Sequence, residues 1–469
     1  MLSKIVEELF GIFQEFFQKE ESWIILIIVG LAGIVFALPV IDPTGIFDRI
    51  LFYLRQTWWL WLFAVLLPLF EQLWLFWRQE LYVRSREYIL LELRMPREIA
   101  QSTQAMEQIC LTLNTFGTSP GNFSEKYIDG VTTTWNALEI VSFGGEVHFY
   151  IRCQKSHRNI IEASFFSYYK DVEIIEVKDY VDMLPHSVRE MNEREQDIWG
   201  TEMVLAREEA FPIRTYSNFE SGKEEQNVDP LSVFLESFGK MRPGEAVGIQ
   251  ILIAPAPKDW YKRWAKLMAD LKEPETIDVG SGENARSVAV ARTPGKTGII
   301  EMVENNLSKP AFRTIIRCMY ISPKTLFSKD VGRSIATAFN QYSDLNLNAF
   351  KPNSRAGTKA DPWTWPHVMT PQRTEYRKQR LLWNYVMRET PPDSPIGRLL
   401  TSYLLNWNFA TRDFALNLEA LATIFHPPTA VVLTAPHIKR VESRKAGPPA
   451  GLAIFGEDED IKRFQTPPK

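Results

Sequence analysis

The chain has 469 residues, which is enough for about three domains of roughly 150 residues each. Its hydrophobic share of 45% and charged share of 23% are those of a globular protein, and a mean hydropathy of −0.17 excludes a transporter with many membrane spans. A formal net charge of −4 excludes the overall basic field that strong non-specific binding to nucleic acid requires.

The three cysteines, Cys110, Cys153 and Cys318, are odd in number and far apart in the chain. They do not form a CxxC redox pair, and they lack the spacing of a structural zinc site or a disulfide framework. We therefore expect the folded part of the chain to face a reducing compartment.

Residues 1–21 carry apolar side chains at helical spacing and acidic side chains largely on the other side. This pattern predicts an amphipathic helix that lies flat at a membrane interface or packs on a partner. Its acidic face makes anchoring to anionic lipid the less favoured of the two.

Residues 22–85 are predicted to form a two-span transmembrane helical hairpin. Residues 22–41 contain no charged side chain, and residues 57–77 carry tryptophans at both ends, as expected at the two bilayer interfaces. A cleaved signal peptide is less favoured, because the first residues are acidic and a second apolar run follows. Five arginines follow the second run and two lie in the connecting loop, so both termini are expected on the cytoplasmic side.

Glu71 lies inside the second apolar run, where an ionisable group is costly and often functional. Two interpretations are open. Its carboxylate either reaches the headgroups, since it is within a turn or two of the end of the span, or it makes an intramembrane contact with a partner.

Residues 86–180 are predicted to form a β-α-β-β-α-β unit, the order of a ferredoxin-like, split βαβ domain. Apolar residues there run continuously or alternate between turn signals, and Gly144-Gly145 indicates a tight hairpin. Strands are expected over residues 88–95, 135–143, 146–152 and 172–177, and helices over residues 103–114 and 159–169.

Residues 205–353 are predicted to repeat the unit with a helical insertion in place of its hairpin, so the fold class is α+β with tandem ferredoxin-like domains. The insertion covers residues 260–307. The flanking strands are expected over residues 211–216, 246–253, 312–321 and 348–351, and the helices over residues 230–241 and 331–342.

Residues 354–442 are predicted to be a helical region, and residues 443–469 a linker or tail. A basic run begins the helical region and lies near two tryptophans, which suits contact with a phosphate backbone. A solvated helix start is the more ordinary interpretation. The basic run consists of Arg373, Arg377, Lys378 and Arg380.

No catalytic motif is found in the sequence. Gly295-Lys296-Thr297 resembles the end of a phosphate-binding loop, but Val290 stands where that motif needs its first glycine. The six histidines have no ligand spacing, and HExxH, GxSxG and GxGxxG are missing from the sequence. We therefore expect no catalytic residue, no metal and no cofactor.

Six segments together resemble the membrane-anchored N-terminal region of bacterial type IV secretion and HerA-like conjugation ATPases. The resemblance covers the chain from about residue 86 to residue 449 and implies a bacterial cytoplasmic membrane protein that works beside a DNA- or protein-translocating motor. In that family a motor with a phosphate loop follows, whereas this sequence has none, so no catalytic residue is carried over. The segments are residues 90–96, 104–109, 145–152, 172–180, 416–426 and 444–449.

Three hypotheses remain open. The first is a non-enzymatic, membrane-anchored component of a translocation machine that docks a separate motor ATPase at the cytoplasmic face. The second is the front half of a split or truncated translocation ATPase, and the third is an enzyme with an unrecognised site within residues 260–307. Expected partners are membrane lipid, the motor ATPase and further copies of the chain, and nucleic acid is less favoured.

Overall fold

The computed structural model describes residues 46–95, 103–115, 117, 120–219, 229–273, 276–279, 286–289, 293–363, 367–392 and 409–428. These residues form an α+β fold built on one antiparallel sheet of nine strands, with helices on both faces. The predicted helix over residues 1–21, the first predicted span and the tail over residues 443–469 lie outside the described residues.

Two helices precede the sheet, α1 (Ile46–Gln56) and α2 (Trp58–Arg84). None of the helices within the described ranges is both long enough and apolar enough to cross a membrane. The predicted two-span hairpin over residues 22–85 is therefore wrong, and so is the predicted multi-pass location in a bacterial cytoplasmic membrane with cytoplasmic domains.

The sequence of α2 and its packing explain this correction. Pro68, Glu71 and Gln72 interrupt the apolar run near its middle. The second half of α2 is then part of the folded unit, because Leu75 is buried and Gly130 lies against the backbone of Arg78. Gly130 has φ +71°, and a side chain there would come within 2.4 Å of the Arg78 carbonyl oxygen. Hydropathy alone does not distinguish such a packed helix from a membrane span.

The first half of the sheet contains four strands and two helices. The strand order is β4-β1-β3-β2, that of a ferredoxin-like unit, and the β2–β3 turn has Gly144 and Gly145 at positive φ. The elements are β1 (Tyr88–Arg94), α3 (Gln104–Thr115), β2 (Asn136–Phe143), β3 (Glu146–Gln154), α4 (Arg158–Tyr168) and β4 (Glu173–Val177).

The second half follows after a short helix and has the equivalent strand order, β10-β5-β9-β6. Helices and a small hairpin lie between β6 and β9, where the helical insertion was predicted. The elements are α5 (Val188–Glu193), β5 (Gln196–Leu205), α6 (Tyr216–Phe219), α7 (Ser232–Gly239), β6 (Ala246–Pro255), α8 (Ala265–Lys272), β7 (Thr276–Val279), β8 (Arg286–Ala289), α9 (Pro294–Ser308), β9 (Ala311–Pro323), α10 (Lys329–Ala338) and β10 (Phe350–Pro352).

The two halves share one sheet because β2 pairs with β6 along its whole length, from Asn136 opposite Ile253 to Phe143 opposite Ala246. Three elements follow β10: α11 (Thr370–Val386), β11 (Phe414–Asn417), which pairs with the start of β9, and α12 (Leu418–Ile424). The first strand of the second half is β5, not the predicted strand over residues 211–216.

The sheet is buried on both faces. Helices α3, α4, α7, α10 and α12 cover one face with the main apolar core. Helices α5 and α11 cover the other face, where Gly200 and Gly248 let α11 approach the strands closely. A side chain at Gly248 would come within 2.0 Å of the Tyr385 hydroxyl oxygen, so a residue with a Cβ would push α11 outward.

Candidate functional site

A row of polar side chains crosses the sheet on the face that α11 covers. Its members are directly opposite one another on six neighbouring strands. None is more than 6% exposed, so each needs a partner inside the protein. We call this the polar row: Glu92, Tyr150, Glu139, Gln250, Arg317 and Glu202.

Glu139 lies at the junction between the halves and pairs with Arg388, which follows the end of α11. The Nε and Nη2 atoms of Arg388 donate to the two carboxylate oxygens of Glu139 at 2.7 and 3.0 Å. The same guanidinium donates to Asp179 at 2.7 and 3.0 Å. Burial opposes the charge of Arg388, but the Glu139 carboxylate raises its pKa well above the ordinary value. Arg388 has φ +51°, a strained conformation for a residue with a side chain.

Arg317 extends the same network into the second half. Its Nε donates to Glu202 at 3.0 Å, and its Nη1 donates to the carbonyl oxygen of Asn384 in the last turn of α11 at 2.9 Å. Gln250 lies between the two ion pairs and donates to Glu139 at 2.9 Å. Burial raises the pKa of Glu202, although Arg317 beside it opposes that shift.

Glu92 ends the row in the first half. Its carboxylate is 2.8 Å from His148 Nδ1 and accepts from Arg94 Nε at 2.9 Å. The hydrogen bond with His148 is the main reason that the pKa of Glu92 falls to about 2. The ring of His148 stacks on Tyr150, which in turn stacks on Tyr180 in the segment that follows β4. This part of the sheet face is therefore covered by the chain itself.

The polar row holds parts of the fold in position. Each charged member of the row has a partner inside the protein: Arg317 pairs with Glu202, Glu139 with Arg388, and Glu92 with His148 and Arg94. Arg317 on β9 donates to the Asn384 carbonyl oxygen in the last turn of α11, and Arg388, just after α11, donates to Glu139 on β2. The Tyr385 hydroxyl of α11 lies 3.0 Å from the Tyr180 hydroxyl. The row therefore fixes where α11 lies on the sheet.

A groove lies between α11 and α5 on the outer side of this face. The backbone N–H of Val188 donates to Gln379 Oε1 at 2.7 Å and ties the two helices together. The groove has a volume of about 630 Å³ and a lining with both charge signs. It is lined by Val188, Arg189, Asn192, Glu193, Gln372, Glu375, Tyr376 and Gln379.

The basic run predicted at the start of the helical region lies on α11, but its members point in different directions. Arg373 and Arg377 are buried, and Arg377 donates to the carbonyl oxygens of Lys359 and Arg355. Burial, with the nearby charge of Arg373, lowers the pKa of Arg377 to about 10. Lys378 pairs with Asp197, and Arg380 is half-buried. The four are not brought together on one surface, and their contact with a phosphate backbone stays a prediction.

Glu71 has a partner within the folded unit. Tyr127 donates its hydroxyl to Glu71 at 2.6 Å, and Trp74 Nε1 donates to the Tyr127 carbonyl oxygen at 2.7 Å. The hydrogen bond to this carboxylate raises the pKa of Tyr127. The contact joins α2 to the short π-helix at Glu125–Asp129, and an intramembrane contact of Glu71 stays a prediction.

Sequence reasoning missed Arg317, Gln250 and Arg388. A signal for the first two existed, because Gln250 is the one polar residue of β6 and Arg317 has two apolar residues on each side in the middle of β9. A residue of that kind needs a buried partner. Arg388 had no such signal, since its partner Glu139 is 249 positions away in the chain.

Among the described residues, no group of three or more histidine, cysteine, aspartate or glutamate side chains could hold a metal ion. The cysteines Cys110, Cys153 and Cys318 are free thiols and are buried, and burial raises the pKa of Cys153 to about 12. They are therefore poor nucleophiles at neutral pH.

The fold and the polar row define an α+β protein with a fully buried ionic network across a continuous sheet. The family described as a domain of unknown function, DUF8128, matches residues 92–356. This is more than half of the 469 residues, so the chain belongs to the DUF8128 family. The match begins in β1 at Glu92 and ends just after β10, and thus covers both halves of the sheet. No curated protein matches the chain.

Replacing Arg388 by methionine should lower the free energy of unfolding by about 3–5 kcal/mol, because it leaves the Glu139 carboxylate buried without its partner. Urea unfolding followed by circular dichroism measures this. The control is Arg189→Ala, which removes a solvent-exposed pair with Glu193 and should change the free energy by less than about 1 kcal/mol. Adding Glu139→Gln to Arg388→Met should restore most of the lost free energy of unfolding. A double variant whose loss of free energy equals the sum of the losses in the two single variants would contradict the pairing of Arg388 with Glu139.

Replacing Glu92 by glutamine should make stability less dependent on pH in the acid range. The folded pKa is about 2, below the ordinary 4.5, so the stability contributed by the carboxylate is complete above pH 4.5 and is lost as pH falls toward 2. Urea unfolding should show the variant less stable by up to about 3 kcal/mol at pH 6, with the difference narrowing steadily below pH 4.5. A difference that stays constant with pH would mean that His148 and Arg94 do not act on this carboxylate.

Proposed function

We propose that the chain is a non-enzymatic component of a type IV secretion-like or conjugation-like translocation machine, and that it docks a separate motor ATPase. The observation that carries this proposal is the open groove between α5 and α11, whose two walls pack on the same face of the sheet. The resemblance of the sheet segments and of residues 416–426 to the front part of such ATPases gives the partner class.

The lining of the groove suits a protein partner. Tyr376 is an exposed aromatic side chain, and Arg189, Glu193 and Glu375 give the rim both charge signs. Tyrosine and arginine are enriched in protein–protein interfaces, and a polar rim of mixed charge is typical of interfaces that form between folded partners. Small-molecule sites instead enclose their ligand, whereas this groove is open to solvent.

The alternative, that the chain is the front half of a split or truncated translocation ATPase, is favoured by the way in which α12 is held. His426 is fully buried, with its Nδ1 at 2.9 Å from the Ala422 carbonyl oxygen and its Nε2 at 3.2 Å from Asp229. The side chain of Asn417 caps α12 by accepting from the N–H of Ala420 at 2.8 Å. The segment that resembles the lead into a motor is thus anchored in the main core, and a motor joined there would be rigidly oriented.

Site-specific photo-crosslinking in cells tests the docking proposal. With a photoreactive residue at Tyr376 in the groove, we expect an adduct with a protein that carries a phosphate-binding loop, identified by mass spectrometry. The control position is Leu345, which is fully exposed on the loop after α10 and should give no such adduct. Adducts at Tyr376 that contain no ATPase, or the same ATPase at both positions, would contradict the proposal.

An assay of ATP hydrolysis distinguishes the non-enzymatic component from the two enzyme hypotheses. The purified chain should not hydrolyse ATP alone, and it should change the rate of the crosslinked ATPase when the two are mixed. ATP hydrolysis by the chain alone would favour the hypothesis that the chain is an enzyme. A crosslink at Tyr376 that forms only to a motor domain of the same polypeptide would favour the hypothesis of a split or truncated ATPase.

A further inference from the structure

Helix α2 presents a row of leucines to solvent. Leu62, Leu66, Leu69 and Leu73 follow one another at spacings of four, three and four, and they are 45%, 47%, 40% and 39% exposed. Alternating steps of three and four are the a and d positions of a heptad, which form the contact seam of paired helices. We call these four residues the leucine seam.

The folded domain does not cover the leucine seam because it contacts the other side of α2. The domain-facing stripe consists of Glu71, Leu75, Arg78 and Tyr82, which are buried or half-buried. At 100° per residue these positions lie about 160–220° around the helix from Leu62. The charges of Glu71 and Arg78 are therefore directed away from the seam, and Pro68 also lies outside it.

The exposed apolar surface is large enough for a stable interface. Trp59, Phe63, Phe70 and Trp77 flank the seam and are 50–66% exposed. Since each aromatic side chain can bury about 150–250 Å², these rings and the four leucines together offer on the order of 800 Å². That is the share of each partner in an interface of standard size, and it exceeds the apolar patches that monomers usually expose.

We propose that a second copy of this chain covers the leucine seam, with α2 packed against α2 in a two-fold homodimer. An uninterrupted leucine repeat without charge is complementary to itself, and two-fold pairing puts the same surface of both copies into the interface. The seam and its flanking rings, from Trp59 to Trp77 of α2, give a contact about 27 Å long. This dimer goes beyond the proposed docking function and does not rest on it, because it uses α2 and leaves the groove between α5 and α11 open.

The mass of the full-length protein in solution is the first test. Wild type should have the mass of a dimer by light scattering coupled to size exclusion. Leu66→Gln with Leu69→Gln should weaken dimerisation at least tenfold without lowering helix content, since glutamine is a good helix former. The matched control is Leu111→Gln with Val233→Gln, which changes residues 39% and 43% exposed on α3 and α7 and should leave the dimer intact. A monomeric wild type at tens of micromolar, or a dimeric seam variant, would overturn the proposal.

Cysteine crosslinking identifies what covers the seam. The three natural cysteines are buried, so a new cysteine at the seam is the reactive one. Under mild oxidation, Leu66→Cys should link two copies if the helices are parallel, and a mixture of Leu62→Cys and Leu73→Cys chains should do so if they are antiparallel. Leu111→Cys should give no link.

Other occupants give different outcomes in the same assay. A disulfide between Leu66→Cys and a cysteine placed in residues 22–41 of the same chain would assign the seam to that segment. Flotation with phosphatidylcholine vesicles that depends on the seam leucines, without any link between copies, would assign it to lipid. Either result would overturn the homodimer.

Discussion

Glu139 carries a carboxylate that is fully buried at the junction of the two halves of the sheet, and a charge in that position must be paired. Arg388 supplies the partner from the end of α11, so the position of that helix is set by the strand beneath it. The pairing of β2 with β6 places Gln250 beside Glu139, and Arg317 continues the contact to Glu202. The unity of the sheet and the position of α11 both depend on this buried network.

The surfaces proposed for partners follow from that arrangement. Because the polar row and Arg388 hold α11 on the sheet, the outer side of α11 and α5 form a groove of fixed shape. A groove of fixed shape lowers the entropy cost of docking a partner. Helix α2 is joined to the domain along one stripe through Leu75 and the Glu71–Tyr127 hydrogen bond, which leaves the leucine seam on the opposite side. The two surfaces that we propose for partners are therefore separate, one amphipathic and one apolar.

Local patterns predicted many elements and missed the long-range contacts. The strand over residues 146–152 is confirmed because Val147, Phe149 and Ile151 alternate toward the core, and the helix over residues 103–114 is confirmed by α3. Strand β5 was missed because it is buried on both faces and includes Gly200 and Glu202, so it shows no alternation. The pairing of β2 with β6 could not be predicted, since both strands are buried on both faces and neither has a residue pattern that selects its neighbour. At α2 the prediction relied on hydropathy and therefore took a helix that packs on the domain for a membrane span. At α11 the charge of Arg373 did not reveal that its side chain is buried.

Hydrogen exchange under native conditions tests most directly whether the polar row and the β2–β6 pairing make the two halves one cooperative unit. The amides of Ile140 in β2 and Ile249 in β6 lie opposite each other at the junction. The account predicts that these amides, and the most protected amides of β1 and β9, exchange with the same free energy of opening and the same dependence on denaturant. A second half that keeps its protection after β1, β2 and β3 have exchanged would show two independent units and contradict the account.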